Sequence, residues 1–251
     1  YRLAKDITGI GFKSADIIAT NLGISKTSII RARAGINHVL MERVSQGHCA
    51  YPEALLISES EDLLKIDALV LKEAIELELT DKTLTREIIK DSLCLFPAGI
   101  YHCECEIAKI LLQLNTATPP WSQIKCDEAI HSVSKKIGLE LAPLQIKAVE
   151  TALNSKLTVI TGGPGTGKTT LTRTIVEILR TKNVSMALCS PTGRAAKRLS
   201  ECTGLEAKTI HRLLGFDPKK GGYALDKENP LNVDLLLVDE ASMVDVSLMH
   251  S

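Results

Sequence analysis

A glycine-rich run at residues 162–170 has the residue types and spacing that most directly imply chemistry. The run is GGPGTGKTT and fits the pattern G-x-x-x-x-G-K-[ST] at every fixed position. Glycines lack a Cβ atom, so the backbone can surround an anion with N–H groups, and a helix that follows adds the positive end of its dipole. An ordinary glycine-rich turn would need neither the lysine nor the threonine. The pattern therefore predicts a phosphate-binding loop.

The residues of this loop have separate expected roles. Lys168 is expected to reach the β- and γ-phosphates of a nucleotide, and Thr169 to offer its hydroxyl to Mg²⁺. Pro164 stiffens the loop between glycines. The predicted ATP contacts are Gly163, Pro164, Gly165, Thr166, Gly167, Lys168, Thr169 and Thr170.

Two carboxylates, Asp239 and Glu240, follow an apolar run at residues 235–238. Asp239 is predicted to hold Mg²⁺ directly or through water, and Glu240 to orient and deprotonate an attacking water. An apolar strand that ends in two acids is common by chance, but one downstream of a phosphate-binding loop favours a hydrolytic site. Lys168, Asp239 and Glu240 are thus the predicted catalytic residues, with Thr169 and Asp239 as the Mg²⁺ ligands.

Strands that alternate with helices are expected to position these groups. We predict strands at residues 157–160 and 184–190, with helices at 171–180 and after 191, which is typical of parallel βαβ units. Ligands of such sheets bind at the carboxyl ends of the strands. The segment at 191–194 is therefore expected on the same edge as the loop. Gln145 opens a helix before the loop, and its amide could read adenine, although a surface glutamine would look the same.

The N-terminal residues 7–12, ITGIGF, lie between two helix-like stretches at residues 3–7 and 14–22. Gly9 and Gly11 permit a turn whose amides can meet a DNA phosphate, and Lys13 adds positive charge. The second stretch has Ser14 as its expected N-cap and an apolar face of Ala15, Ile18, Ala19 and Leu22. The pattern resembles the helix-hairpin-helix module, which binds the DNA backbone; a plain helical turn remains the alternative.

Composition and hydropathy argue against a membrane-spanning protein and against a secreted one. The 251 residues are 45% hydrophobic and 24% charged with a net charge of zero, as in a globular protein. No apolar run reaches the roughly 18 residues of a membrane-spanning helix, and no signal segment opens the chain, so a cytoplasmic protein is expected. Seven cysteines without C-x-x-C spacing favour a reducing compartment, and a metal site at His102, Cys103 and Cys105 is disfavoured. A chain without an initial methionine is expected to be an excised segment.

The distribution of charge and the positions of helix-breaking prolines divide the chain into four predicted regions. Residues 1–48 are basic and form the expected helix-hairpin-helix region, whereas residues 49–114 are acidic and form a helical scaffold. Within this scaffold, residues 59–79 are expected to be one helix, and residues 85–95 a strand or a helix. Residues 115–122, which contain Pro119 and Pro120, form the predicted linker. Residues 123–251 form the predicted nucleotide-binding domain.

The order of Gln145, GGPGTGKTT, SPTGRAAKRL, TIHRLLG and LLLVDEASM resembles superfamily 1 DNA helicases of the RecD-like, exodeoxyribonuclease V alpha-chain type. This resemblance implies an α/β fold: a mostly helical N-terminal region, then a RecA-like P-loop domain with a parallel sheet that hydrolyses ATP with Mg²⁺. It implies 5′ to 3′ movement on single-stranded DNA in repair or recombination, beside flanking duplex DNA and other recombination or exonuclease subunits. Gln145 would contact adenine. The residues implied to lie near the DNA strand are Pro191, Thr192, Gly193, Arg194, Thr209 and His211.

The chain departs from this family pattern because it stops soon after Glu240, before the motifs of a second motor lobe. It is therefore expected to be an incomplete first lobe that binds nucleotide and DNA without unwinding. One alternative is a helix-hairpin-helix DNA-binding scaffold whose P-loop senses nucleotide without motor activity. Another is a P-loop ATPase with no nucleic acid partner, which the basic segment at residues 191–198 argues against.

Overall fold

The computed structural model describes residues 1, 11–138, 140–219 and 221–251. The chain divides into two compact units, Tyr1–Glu106 and Ile107–Ser251, called here the N-terminal and C-terminal units. The division falls inside a helix and precedes the predicted linker at residues 115–122. That helix extends to Thr116, and residues 117–125 follow it without helix or strand. The domain boundary at the linker stays a prediction.

Helices dominate the N-terminal unit, together with a small antiparallel sheet in the strand order β1-β3-β2. Strand β3 pairs with β1 at Tyr51↔Leu95 and with β2 from Leu84↔Pro97 to Ile89↔Ser92. Its elements are α1 (Phe12–Asn21), α2 (Ile29–Ser45), β1 (Tyr51–Pro52), α3 (Glu53–Leu64), α4 (Ala68–Thr80), β2 (Leu84–Ile89), β3 (Ser92–Pro97) and α5 (Ala98–Thr116), which continues into the C-terminal unit.

Local chemistry corrects two expectations for this unit and decides a third, which was open between a strand and a helix. The stretch at residues 59–79 is two helices, because Lys65 is left-handed at the end of α3 and the Asp67 carboxylate accepts Leu69 N–H to begin α4. The ambiguous stretch at 85–95 belongs to a hairpin, whose two turn residues, Lys90 and Asp91, both have positive φ.

Helix α1 begins earlier than predicted, at Phe12, with Gly11 as its N-cap, so Ser14 lies inside the helix. The predicted apolar face of α1 is confirmed only in part: Ala15 and Ala19 are buried, whereas Ile18 and Leu22 are exposed.

 The buried positions of α1 are therefore Phe12, Ala15 and Ala19, and they follow a face rotated from the one that the sequence predicts.

The hydrophobic core of the N-terminal unit lies between α2, α3, α4 and the hairpin. It is formed by aliphatic side chains that are almost fully buried. Its largest members are Ile36, Leu40, Leu56, Ile66, Leu71, Ile75 and Leu95.

The C-terminal unit contains a parallel sheet in the strand order β5-β4-β6, with helices packed around it. Strand β4 pairs with β5 from Leu188↔Ala207 to Ser190↔Thr209, and with β6 from Met186↔Leu235 to Cys189↔Val238. Its elements are α6 (Cys126–Ile137), α7 (Pro143–Asn154), α8 (Lys168–Arg180), β4 (Met186–Ser190), α9 (Gly193–Thr203), β5 (Ala207–Thr209), α10 (Ile210–Leu214), β6 (Leu235–Val238), a 3₁₀ turn (Ala241–Met243) and α11 (Val246–His250).

Helix α8 is central to this unit because most of its residues after the first turn are buried. Leu171, Ile175, Ile178 and Leu179 pack against α6 and α7 in one core cluster. Val176, on another side of α8, packs with β4 and α9. The helix that follows the glycine-rich loop is therefore held on several sides, which fixes the position of its N-terminus.

The predicted strand at residues 157–160 is wrong as a sheet strand. Strand β4 pairs with β5 and β6, and no described residue forms a ladder with residues 157–160. Val159 is 78% exposed, whereas a buried central strand would be covered on both faces. Composition identified an apolar run, but a strand also needs a neighbour with free N–H and C=O groups.

The fold class is confirmed: a largely helical N-terminal region precedes a mixed domain with a parallel sheet. The short antiparallel sheet of the N-terminal unit is an addition to that expectation. Among the described helices, none has both the length and the apolar composition required to cross a membrane.

Candidate nucleotide and nucleic-acid sites

The glycine-rich loop lies directly before α8 and takes its shape from left-handed glycines. Gly165 and Gly167 have φ values of 76° and 83°, a region that side chains with a Cβ atom rarely adopt. Gly167 is the N-cap of α8, so the free N–H groups of the first helical turn point toward the loop. This arrangement places amide donors and the positive helix end where an anion could bind.

Lys168 lies over this loop and contacts its backbone. Its Nζ atom donates to the carbonyl oxygens of Gly162 at 2.6 Å and Gly163 at 2.9 Å. Thr166 also donates from its hydroxyl to the Gly163 carbonyl, at 2.9 Å. A phosphate that enters the loop would offer the ammonium a stronger, charged acceptor in place of two carbonyls.

Gln145, in the first turn of α7, contacts the same loop through one end of its amide and the N-cap of α7 through the other. The side-chain Oε1 accepts from Ala142 N at 2.9 Å, and Nε2 donates to the Thr166 carbonyl at 3.1 Å. A Cβ atom on Gly167 would lie 2.5 Å from that Nε2. Gln145 is therefore next to the loop, as predicted, but its amide is engaged with protein atoms and would have to exchange them to contact adenine.

Asp239 and Glu240 follow β6 at its carboxyl end. Asp239 N donates to the Cys189 carbonyl at 2.9 Å, which continues the β4–β6 ladder to the acidic pair. One Asp239 oxygen, Oδ1, accepts Glu240 N–H at 2.9 Å, while Glu240 itself is left-handed with φ 55°. The acidic pair therefore lies in the turn that ends β6, at the carboxyl end of the strand.

Cys202 on α9 contacts α8, the helix that follows the loop. Its thiol lies 3.4 Å from the Thr169 carbonyl oxygen. Burial raises the pKa of the Cys202 thiol; the Asp239 charge raises it further, and the Arg173 charge opposes both. The Cys202 thiol therefore contacts the helix that carries Thr169, and the charge of Asp239 acts on its pKa. The sequence analysis did not single out Cys202, and a cysteine inside the α9 pattern gives no local signal of this contact.

These residues fit a magnesium nucleotide. Mg²⁺ keeps several waters and is commonly held by one or two protein oxygens together with phosphate oxygens. Thr169, in the first turn of α8, and the second Asp239 oxygen, which accepts no hydrogen bond from the residues that the structure describes, would supply that number. Among the described residues, no group of three or more His, Cys, Asp or Glu side chains is arranged to hold a metal alone. A divalent cation at this position would therefore depend on the phosphates for the rest of its ligands.

The other predicted residues of this unit lie at the carboxyl ends of β4 and β5. Ser190 and Thr209 are register partners, so the segments after them start side by side. The Thr192 hydroxyl accepts Ala195 N–H at 3.3 Å and caps α9, and the Thr209 hydroxyl accepts Arg212 N–H at 3.2 Å and caps α10. Both threonines thus have a structural use in their helices. The further residues predicted at this edge are Pro191, Gly193, Arg194 and His211, and the last two are exposed.

The predicted N-terminal site is described only in part. Gly9 and the first helix-like stretch lie outside the described residues. Gly11 has an ordinary extended backbone with φ −77°, and a Cβ atom there would meet no atom within 4 Å. A glycine at position 11 is therefore not required by backbone strain. Lys13 is exposed and forms no ion pair with a described residue.

Most arginines of the basic residues 1–48 form ion pairs with carboxylates of the N-terminal unit. Arg31, which is buried, also donates to the Leu64 carbonyl at 2.8 Å and so connects α1, α2 and α3. The ion pairs are Arg31–Asp16 at 2.8 Å, Arg33–Glu78 at 2.6 Å and Arg43–Glu59 at 2.7 Å. The excess of positive charge in the sequence is therefore a poor measure of the charge that DNA could meet.

Two family models match the chain. The AAA domain model matches residues 145–251, and the model described as "ATP-dependent RecD2 DNA helicase HHH domain" matches residues 1–50. The predicted order of a helix-hairpin-helix region before a nucleotide-binding domain agrees with these two matches.

Curated relatives agree with the family models. An "ATP-dependent RecD2 DNA helicase" from Deinococcus radiodurans is 38% identical over 152 residues, which cover 61% of this chain and 21% of that protein. A "RecBCD enzyme subunit RecD" from Mycolicibacterium smegmatis is 37% identical over 145 residues, covering 48% of this chain and 26% of that protein. Another from Buchnera aphidicola is 30% identical over 183 residues, covering 64% and 29%. The chain thus spans less than a third of the length of these relatives.

Proposed function

We propose, from this similarity to RecD-like helicases, that the chain forms the nucleotide-binding part and an N-terminal DNA-contacting part of an ATP-dependent DNA helicase. The parent protein would couple ATP hydrolysis to 5′ to 3′ movement on single-stranded DNA in repair or recombination. The direction comes only from the family resemblance. Relatives that are named as subunits of the RecBCD enzyme support a proposal that partner subunits exist.

The observation that carries the proposal is the position of Lys168. Its ammonium lies over a loop of left-handed glycines at the N-terminus of a buried helix, 2.6 Å and 2.9 Å from two loop carbonyls. That geometry presents a cation and several amide donors to one small volume. A nucleoside triphosphate is the common ligand with enough negative charge to engage both the ammonium and the amide donors.

Roles for the neighbouring residues follow from their placement. Thr169 and Asp239 would hold Mg²⁺, which when bound neutralises charge on the phosphates. Glu240 would accept a proton from the attacking water. Gln145 would exchange its bond to the Thr166 carbonyl for the adenine edge. Pro191, Thr192, Gly193, Arg194, Thr209 and His211 would lie along the DNA strand, and Gly9, Gly11 and Lys13 would contact flanking duplex through phosphates.

Nucleotide binding by the 251-residue chain tests the central step. A fluorescent ATP analogue with Mg²⁺ should bind the wild type, and Lys168→Ala should weaken binding by at least about tenfold, because a charge-assisted contact contributes about 1.5–3 kcal/mol. Lys182→Ala is the matched control, since Lys182 is an exposed lysine just after the other end of α8. Equal affinity of Lys168→Ala and wild type would contradict the proposal.

A second measurement separates a motor from a nucleotide-sensing scaffold. In the full-length parent protein, ATP hydrolysis should rise when single-stranded DNA is added, and Glu240→Gln should stop hydrolysis while ATP still binds. A parent protein that binds both ligands but hydrolyses no ATP would favour the scaffold. Hydrolysis that is indifferent to DNA would favour an ATPase without a nucleic acid partner.

A further inference from the structure

Ser190, the last residue of β4, has a buried hydroxyl group without a hydrogen-bond partner. The residue is 0% exposed, and its Oγ atom forms no hydrogen bond within the part of the chain that the structure describes. A buried polar atom of this kind costs free energy, and native proteins contain few of them. An alanine would occupy the same place on the strand without that cost, so the hydroxyl needs a physical reason.

Ser190 lies on the face of the sheet that packs against α8 and α9. Side chains alternate along a strand, so Ser190 shares its face with Leu188. Leu188 packs with one buried side chain from α8 and one from α9. Its register partners, Ala207 on β5 and Leu237 on β6, pack against the same cluster. Leu188, Ala207 and Leu237 therefore form an apolar row across the three strands.

The next row toward the carboxyl edge is polar. Ser190 is the register partner of Thr209 on β5. Asp239 takes the matching position after β6, since its N–H donates to the Cys189 carbonyl at 2.9 Å and continues the ladder. From residue 235 to residue 240 the odd-numbered positions are partly buried and the even-numbered ones exposed, so Asp239 lies on the packed face. Ser190 is therefore the middle member of a row with Thr209 and Asp239 on either side.

Of these two neighbours, Asp239 has the acceptor that the Ser190 hydroxyl could use. The Thr209 hydroxyl oxygen already accepts the Arg212 N–H at 3.2 Å. Asp239 accepts the Glu240 N–H through Oδ1 at 2.9 Å, whereas Oδ2 accepts no hydrogen bond from a described residue. A carboxylate that is held through one oxygen can still rotate about its last side-chain bond, because that torsion is broad. A donor to the second oxygen would fix its orientation.

We propose that Ser190 is a positioning residue for Asp239: its hydroxyl donates to Oδ2 and holds the carboxylate in the orientation that binds Mg²⁺. The proposal rests on the proposed function, because it needs Asp239 to be a Mg²⁺ ligand. Neighbouring strands lie about 4.8 Å apart, a separation that two rotating side chains can bridge with one hydrogen bond. A carboxylate oxygen has two lone pairs, so Oδ2 can accept from Ser190 and still bind the cation. Mg²⁺ demands near-octahedral geometry, so its binding depends on how each ligand is oriented.

Nucleotide binding with and without Mg²⁺ tests this role in the 251-residue chain. The affinity for the fluorescent ATP analogue is measured in excess Mg²⁺ and in EDTA, and the ratio of the two affinities is called here the Mg²⁺ advantage. Ser190→Ala should lower the Mg²⁺ advantage by about tenfold, the lower end of the usual range for residues that orient metal ligands, because the phosphates also hold the cation. Its affinity in EDTA should equal that of wild type, since the expected phosphate contacts of Lys168 and the loop amides need no metal.

Three further variants separate this role from packing. Ser60→Ala is the matched control, because Ser60 on α3 is also 0% exposed and its hydroxyl has no hydrogen-bond partner among the described residues; the Mg²⁺ advantage should not change. Ser190→Cys keeps a weak donor in a similar volume and should lower the advantage less than Ser190→Ala does. In an Asp239→Asn background, Ser190→Ala should have little further effect, since the two residues act through one interaction. Circular dichroism would confirm that each variant is folded.

The outcomes distinguish this role from the function on which it rests. An unchanged Mg²⁺ advantage in Ser190→Ala would overturn the positioning role alone, and so would an equal loss of affinity in Mg²⁺ and in EDTA, which indicates a general disturbance of the site. A full effect of Ser190→Ala in the Asp239→Asn background would also overturn it, because Ser190 would then act through another group. Wild-type binding that is the same in Mg²⁺ and in EDTA would remove Asp239 as a ligand and Ser190 with it, while the glycine-rich loop kept its role. No binding of the analogue by the folded wild type would overturn the proposed function itself.

Discussion

Replacing Gly167 with alanine should disturb the glycine-rich loop by two separable effects. Gly167 has φ 83°, and a residue with a Cβ atom pays about 1–2 kcal/mol to stay in that region. The new Cβ would also lie 2.5 Å from Gln145 Nε2, so the amide must move. Its movement breaks the bonds to Ala142 N and to the Thr166 carbonyl.

The magnitudes can be worked from these contacts. Both Gln145 hydrogen bonds are exposed to solvent, so each contributes near the lower end of the usual range, about 0.5 kcal/mol. Gly167→Ala should therefore lower the free energy of unfolding by about 2–3 kcal/mol in the wild-type background. In a Gln145→Ala background the clash is gone and only the backbone strain remains, about 1–2 kcal/mol. The coupling between the two sites should be about 1 kcal/mol.

The chain provides its own probe for this double-mutant cycle. Trp121 is the one tryptophan, and its indole N–H donates to the Leu153 carbonyl at 2.8 Å at the end of α7. It packs on the same core cluster as Leu171 of α8, so its fluorescence should report unfolding of the C-terminal unit. Urea titrations of the four proteins would give the free energies, with the denaturant slope as a check that the unfolded states match.

The cycle can refute the reasoning directly. If Gly167→Ala costs the same in both backgrounds, within about 0.3 kcal/mol, the amide of Gln145 does not restrain the loop. If the variant costs nothing in either background, the left-handed conformation of Gly167 itself is wrong.

Three further predictions use other parts of the chain. Lys13→Gln should reduce the slope of log affinity against log salt for duplex DNA by about 0.9, and an unchanged slope in a salt titration would remove Lys13 from the DNA contacts. The Lys136 ammonium holds the pKa of Glu177 below its ordinary value. This pair therefore stabilises the fold fully at pH values above the ordinary pKa of glutamate, and the stabilisation is lost as pH falls through the lowered pKa. Glu177→Gln should therefore cost about 0.5–1 kcal/mol near pH 7 and nothing in acid, and a cost independent of pH in urea titrations would contradict the ion pair. Burial raises the pKa of Cys189 to about 11, so iodoacetamide followed by mass spectrometry at pH 8 should label it far more slowly than the exposed Cys105.

Local patterns in the sequence were sufficient where the interaction partners are close along the chain. The glycine-rich loop depends on glycines, a lysine and the start of one helix within nine positions, so its spacing alone predicted a turn that leads into α8; its binding of phosphate stays a prediction. The alternation of strands and helices from residue 184 onward likewise predicted parallel strands at β4 and β6, which pair with each other, whereas β5 was not predicted. The resemblance to RecD-like helicases, carried by several such local motifs in order, is confirmed by the family models and relatives.

Contacts between distant residues could not be predicted in this way. The basic character of residues 1–48 suggested free charge for DNA, but Arg33 is paired with Glu78, 45 positions away. The amide of Gln145 was expected to be available for adenine, yet it donates to the Thr166 carbonyl, 21 positions later. Charge and polarity are properties of single residues, whereas their availability depends on which partners the fold brings within hydrogen-bonding distance.

The sequence by itself therefore determined the chemistry that this protein can offer: an ammonium, glycine amides, two carboxylates and a set of apolar segments with the periodicity of helices and strands. Only the tertiary structure decided how those groups are used. It left residues 157–160 without a ladder partner among the residues that the structure describes, placed the Cys202 thiol 3.4 Å from the Thr169 carbonyl oxygen, and brought Phe216 beside Tyr223. The physical reason is that hydrogen bonds and ring contacts act over a few ångströms in space, and separation along the chain does not specify that distance.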